Sequence, residues 1–182
     1  MAVSVAKYYP AVAAGNVFIG STAAAGTAFP ISTGTAVTFG VWNTSADKNA
    51  VILQVNVGYT SGTIALGEIG LANQFVGFNT ATGAAMTAFT ASAPKNALLG
   101  MGKASSMSFT ASAATLAAGG TACLWSGLSI ESATAGLGIL GMPWDVDGQV
   151  VVTPGQIVFL CGSVAQTGVF TASMVWEEVF AK

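Results

Sequence analysis

The last third of the chain, from Gln149 to Val179, carries the pattern that most limits the possible folds. Three runs rich in β-branched and aromatic residues, Val150–Val152, Ile157–Cys161 and Val169–Val179, are separated by Pro154-Gly155 and by the polar segment GSVAQTG. Runs of this kind with turn residues between them predict three consecutive strands. Three strands cannot bury a face on their own, so the upstream chain must supply more.

In the last of these runs Phe170, Met174 and Trp176 fall on one face, and hydroxyl side chains fall on the other. Because successive side chains of a strand point to opposite faces, the first set is predicted to anchor a core. Trp125 lies in another alternating run, Thr121–Ile130, and is predicted to be a core anchor as well.

Further strand-like runs precede the closing segment. They are Thr35–Trp42, Val51–Tyr59, Thr63–Ala72, Ser105–Ala111, Thr121–Ile130 and Gly136–Met142. About eight to ten short strands without an ordinary amphipathic helix predict an all-β, antiparallel β-sandwich, with a jelly roll of about eight strands as the leading form. Residues 1–34, rich in small residues, are predicted to form an extended N-terminal arm, and residues 35–182 the single sandwich domain.

Charged residues are scarce: they make up 7% of the chain, and all five basic residues are lysines. Ordinary globular proteins have about 25%. A solitary subunit needs a mixed-sign charged surface to remain soluble, so the composition favours a subunit whose surface is covered by copies of itself or by another protein. A secreted monomer made soluble by Ser and Thr hydroxyls is the alternative.

The same composition argues against several functions. With no histidine and seven carboxylates, the usual acid–base and nucleophile-activating groups are hard to assemble, so we expect no enzyme activity and no cofactor. Glu177 and Glu178 are neighbours on a strand and therefore point to opposite faces. Five scattered lysines with a net charge of -2 argue against nucleic-acid binding. No window of about 20 residues is apolar enough to predict a membrane-spanning helix.

The segment before the closing strands holds the few candidate site residues. Asp145 and Asp147 precede a glycine as in a calcium loop, but Gln156 stands where such a loop needs a bidentate glutamate. The pattern favours a solvated turn and leaves the two aspartates as weak metal candidates. Trp144, beside Pro143, is predicted to contact an interface partner or a ligand.

Two cysteines, Cys123 and Cys161, lie in apolar, strand-like contexts. The favoured interpretation is a pair of buried free thiols, and a disulfide between strands is the alternative.

Two segments, VVVTPGQIVFLCGSVAQTGVFTASMVWEEV (150–179) and WNTSADKNAVILQVNVGYTSGT (42–63), together with the near absence of charge, resemble phage virion proteins built on a single jelly roll. The resemblance is one of layout and covers residues 35–180. It implies a small, typically trimeric structural subunit that decorates or cements the outside of an icosahedral head. The partners it implies are copies of the chain and the major capsid protein or another virion protein, and the location is the outer capsid surface.

Other functions remain open from the sequence. A receptor- or glycan-binding spike or fibre knob of the virion, or a jelly-roll capsid subunit, fits the same layout. A surface-layer protein of a cell is a further alternative.

Overall fold

The computed structural model describes residues 6–78, 86–100, 102–130 and 143–181, with the backbone alone for residues 127–130. The chain is nearly all β, with 55% strand and 3% helix. In the described ranges the elements are α1 (Tyr9–Ala13), β1 (Val17–Ser21), β2 (Ala36–Val37), β3 (Gly40–Trp42), β4 (Lys48–Ser61), β5 (Gly67–Phe75), β6 (Met86–Phe89), β7 (Lys95–Asn96), β8 (Ser108–Thr110), β9 (Ala114–Leu116), β10 (Thr121–Ile130), β11 (Pro143–Val152), β12 (Gln156–Gly162) and β13 (Val169–Phe180).

These strands form three sheets. The first has the order β11-β4-β13-β1-β7, the second β10-β5-β12-β3-β8, and the third, smaller one β2-β9-β6. All pairings between these strands are antiparallel. The predicted all-β antiparallel sandwich is confirmed.

The main core lies between the first and second sheets. Alternation along β13 turns Phe170, Met174 and Trp176 inward, and all three are fully buried, as predicted. The Trp176 ring lies 6.1 Å from the ring of Phe18 on β1 and 6.1 Å from that of Phe109 on β8. Trp176 therefore joins strands of both sheets, and its burial is central to the packing.

The third sheet covers part of the outer face of the second sheet. Residues that share this second apolar cluster come from both sheets, and they are Val37, Trp42, Ala72, Met86, Ala114, Leu116, Ile157, Phe159 and Cys161. Of the strands of the third sheet, β6 belongs to residues 73–103, a long stretch whose sequence is only weakly patterned, and β9 follows the predicted strand at 105–111. A long connection in a compact domain thus has a structural use, as a cover for an apolar face.

The predicted N-terminal arm is shorter than residues 1–34. β1 lies between β13 and β7 in the first sheet, and Phe18 and Phe29 are buried in the main core. From the sequence, Val17–Ile19 is the one possible strand within this segment, and it forms the first part of β1. The run at 35–42 also divides, since β2 joins the third sheet and β3 the second. The predicted strand at 136–142 lies outside the described residues.

Trp125 is not a core anchor, because 37% of its surface is exposed. It lies on β10, an edge strand whose register against β5 shifts between Ala122 and Leu124. The shift puts Leu124 against the main core and turns Trp125 to the other face. There its ring lies over Gly70, where an added Cβ would come within 2.5 Å of it. The glycine in β5 thus permits close approach of a neighbouring side chain.

Candidate functional site

Trp144 lies on β11 opposite Val55 of β4. It is half-buried and packs against the main core cluster. Its neighbour Pro143 borders a shallow cleft of about 460 Å³ on the first sheet. The uncharged cleft is also lined by Ser21, Thr22, Asn56, Gly58, Thr171 and Ser173. The role of Trp144 as a contact residue stays a prediction, but its ring is not the freely exposed platform that a stacking ligand needs.

Asp145 and Asp147 face the N-terminal segment. The Tyr8 hydroxyl donates to Asp147 Oδ1 at 3.0 Å and lies 3.4 Å from Asp145 Oδ1, and the Lys7 ammonium forms an ion pair with Asp147. We call these four residues the N-terminal clip. Within the described ranges no three histidine, cysteine or acidic residues are grouped so that they could hold a metal ion. In this structure the carboxylates of the two weak metal candidates contact Lys7 and Tyr8.

Backbone geometry places the clip. Asp147 has φ +48° and Gly148 has φ +80°, and the register between β11 and β4 shifts there. Aspartate tolerates this left-handed conformation better than most residues. The resulting bulge turns the Asp147 carboxylate outward to Lys7.

The clip shifts the titration of its members. The hydrogen bond from Lys7 lowers the pKa of Asp147, and the bond from Tyr8 adds to that effect. The same contact with Asp147 raises the pKa of Lys7. Partial desolvation raises the pKa of Tyr8. Because Lys7 and Asp147 are both about half exposed, solvent screens their attraction.

A second lysine–carboxylate cluster is buried at the end of β13. Glu178 accepts hydrogen bonds from the Ser105 hydroxyl at 2.6 Å and from the Ser106 amide at 2.9 Å. Lys48 Nζ lies 3.6 Å from Glu178 Oε2 and donates to Ser106 Oγ at 2.7 Å. We call these four residues the Glu178 cluster. It ties β4 and β13 to the segment that precedes β8.

The sequence contained a signal for this cluster. Glu178 continues the inward alternation of Phe170, Met174 and Trp176, which places a carboxylate on a buried face. A buried carboxylate needs partners. Those partners lie far away in the sequence, at Lys48 and residues 105–106, so no local spacing could identify them.

The two cysteines are both free thiols. Cys161 is fully buried, as predicted, and desolvation raises its pKa to about 12. Cys123 is exposed, contrary to the prediction, because it lies on the edge strand β10 at the point where the register shifts. The disulfide alternative is not realised.

Large apolar side chains are exposed in several places. Those with more than half of their surface exposed are Tyr9, Leu66, Phe75, Phe78, Leu99 and Phe180. Single exposed apolar residues are ordinary on protein surfaces. In a chain with so few charges, they leave little strongly hydrated surface between them.

No family model, curated protein or solved structure matches this chain. In the described part of the chain, no helix has the length and apolar character required to cross a membrane.

Proposed function

We propose that the sandwich is a jelly roll. Eight strands, taken in chain order, are β1, β3, β4, β5, β10, β11, β12 and β13. They pair first with eighth, second with seventh, third with sixth and fourth with fifth. This nested pairing, which divides into two four-stranded sheets, is the expected order for one long hairpin rolled into two Greek keys. The remaining strands extend these sheets or form the third sheet.

We further propose that the protein is a viral structural subunit that assembles as a homo-oligomer, most simply a trimer, and decorates or cements the outer surface of a phage head. The observation that carries the proposal is an exterior poor in ionised groups. Of the few lysines, Lys7 and Lys48 are paired with carboxylates, and Lys103 donates to Asn16 at 2.6 Å. The two ion pairs further reduce the uncompensated charge available to keep a solitary subunit in solution.

Adhesion is the function that such a surface supports. Small hydroxyl and apolar side chains permit close backbone approach, and buried apolar area stabilises an interface by about 25 cal/mol per Å². The layout resemblance to single jelly-roll virion proteins agrees with this use of the surface. The fold alone does not carry the function, since such sandwiches host many.

Oligomeric state is the first test. Native mass spectrometry and multi-angle light scattering of the purified full chain should give a homo-oligomer at micromolar concentration. A monodisperse monomer at all concentrations would contradict the proposal and favour the secreted-monomer alternative.

Location is the second test. Virions that carry the protein, labelled with an antibody against it, should show label over the head surface in electron micrographs. Label confined to a fibre or tail tip would contradict decoration and favour the receptor-binding alternative.

A further inference from the structure

The first described residues form a strap across the outside of the sandwich. We define the strap as residues 6–15, which include α1. Its amino end is held at β11 by the clip, where Lys7 and Tyr8 contact Asp147. Its other end is held where the Asn16 carbonyl accepts the Glu178 amide at 2.9 Å and Gly15 O accepts Asn96 Nδ2 at 2.8 Å.

The two ends of the strap are therefore held by different strands of the first sheet. The amino end is held at β11, and the other end at β13, which is separated from β11 by β4. Asn96, which also holds the second end, lies on β7, beyond β1. Asp145 points away from the core, because its neighbours Trp144 and Val146 pack inward. The clip thus lies on the outer face of the sheet, and the strap crosses that face to reach it.

Little holds the strap to its own subunit. No residue of α1 is buried. The contacts at its amino end are hydrogen bonds and one ion pair between exposed side chains. Exposed pairs contribute little to stability, since solvent and side-chain entropy oppose them. A helix of five residues is also too short to be stable by itself.

The anchoring of the chain changes sharply at Gly15. Immediately after it, Val17 and Phe18 are buried in β1 and paired to β13. Gly15 has φ +69°, a conformation that glycine adopts without strain, and the nearest atom to an added Cβ there is Asn96 Nδ2 at 3.9 Å. The positive φ of Gly15 ends α1, where the Asn16 amide donates to the Ala11 carbonyl at 3.0 Å, so Gly15 marks the junction between a weakly held strap and a firmly held strand.

We propose that the strap exchanges between copies of the chain, so that in the assembled oligomer Lys7 and Tyr8 of one subunit bind Asp147 and Asp145 of its neighbour. This inference rests on the proposed homo-oligomer. The occupant is a second copy because the group that the two carboxylates bind in this structure, a lysine ammonium with a tyrosine hydroxyl, is a segment of the chain itself.

Exchange conserves these contacts. An exchanged segment makes the same bonds in the neighbouring subunit that it makes in its own. Exchange therefore changes the free energy little, and it links the subunits. The bonds of the clip set no strong preference against this, because they are exposed. The bonds of Gly15 and Asn16 hold the junction from which an exchanged strap would leave its own subunit.

Zero-length cross-linking tests the exchange in the full chain. Two copies of the chain with different affinity tags are co-expressed and treated with a carbodiimide, which joins a lysine ammonium to a carboxylate where the two are in contact, as Lys7 and Asp147 are. The expected result is a covalent dimer that carries both tags on a denaturing gel and contains the Lys7–Asp147 link. The matched control carries Lys7→Arg in both copies, which keeps the positive charge and cannot be joined, and should give no such dimer.

Three outcomes separate the possibilities. If the chains co-assemble and the Lys7–Asp147 link forms only within single chains, the strap stays in its own subunit. Exchange is then wrong and the proposed function stands. If no oligomer forms, both fail. Where Lys7→Arg misfolds, Asp147→Asn serves as the control, and a doubly tagged dimer that forms as readily in the control as in the unaltered chain also overturns the exchange.

Discussion

The two lysine–carboxylate pairs of the described chain have the same chemistry and opposite surroundings. In the Glu178 cluster, the carboxylate is 1% exposed and its lysine 21%, and two serines complete the hydrogen bonds. In the clip, lysine and aspartate are each about half exposed. Removing one partner of a buried pair lowers the free energy of unfolding strongly, whereas removing one partner of an exposed pair lowers it little. The first pair therefore fixes the body of the domain, whereas the second can release the strap.

The largest expected effect is at Glu178. Glu178→Ala leaves Lys48 without its counter-charge and the Ser105 hydroxyl and Ser106 amide without this acceptor in a mostly buried site, and should lower the free energy of unfolding by about 2–3 kcal/mol. Urea denaturation measures it. The adjacent Glu177→Ala, on the opposite face of the same strand, is the matched control and should cost under about 1 kcal/mol. Equal losses in the two variants would erase the contrast between buried and exposed carboxylates.

Ser105 should matter less. Its hydroxyl donates to Glu178 at 2.6 Å, but the carboxylate keeps its bond from Ser106. Ser105→Ala should therefore cost about 1 kcal/mol in the same urea experiment, and less in a Glu178→Ala background, where only the bond that Ser105 accepts from the Met107 amide remains to be lost. The exposed Ser112→Ala is the control and should change stability by under about 0.5 kcal/mol. Additive losses from Ser105 and Glu178 would show that they stabilise the protein independently.

Strand pattern carried most of the fold. Period-two alternation located β4, β10 and β13 and placed Phe170, Met174 and Trp176 in the core, because the pattern of burial along one strand can be read from its own sequence. A continuous run of β-branched and aromatic residues located β12, which is buried on both faces. Alternation failed for Trp125, where a register shift on an edge strand reverses the faces. A shift of this kind depends on the partner strand, so the sequence of β10 does not contain it.

The candidate site was less accessible from the sequence. The prediction that Glu177 and Glu178 point to opposite faces agrees with their burial, since Glu178 is buried and Glu177 is half-buried. The partners of Glu178 and of Asp147 could not be found, because each lies more than 70 residues away. α1 was also missed. It is only five residues long, has Pro10 in its first turn and buries no stripe, so it lacks the 3.6-residue pattern of an ordinary helix.

The clip should respond to substitution without a change in global stability. Asp147→Asn removes the charge and keeps a residue that tolerates the left-handed backbone. It should leave the urea midpoint unchanged and raise amide hydrogen exchange of residues 9–15 by about two- to fivefold. Salt at about 1 M should do the same to the unaltered chain, because it screens exposed pairs. Asp145→Asn, whose carboxylate makes only the longer contact with Tyr8, should have a smaller effect. If the urea midpoint of Asp147→Asn fell as far as that of Glu178→Ala, both pairs would stabilise the domain as a whole, and the contrast between them would be wrong.

Acid should produce the smallest change and confine it to the strap. The pKa of Asp147 is lowered chiefly by its bond from Lys7. A carboxylate with a depressed pKa contributes stability above its ordinary value, and that contribution is lost as the pH falls through the lowered value. The raised pKa of Lys7 keeps its contribution until the pH exceeds the ordinary lysine value of 10.5. The strap should thus be held between these limits and released in acid below the ordinary aspartate pKa of 3.8.

Amide chemical shifts of Ala11 to Gly15, followed by NMR from neutral pH into acid, measure this release. The charged and titratable groups at this end of the strap are Lys7, Tyr8, Asp145 and Asp147, so Asp147→Asn should remove most of the transition and Asp145→Asn should leave most of it. An acid transition of the strap amides that persists unchanged in Asp147→Asn would mean that another group controls the strap. In that case the exposed pair would not be the contact that distinguishes the strap from the body.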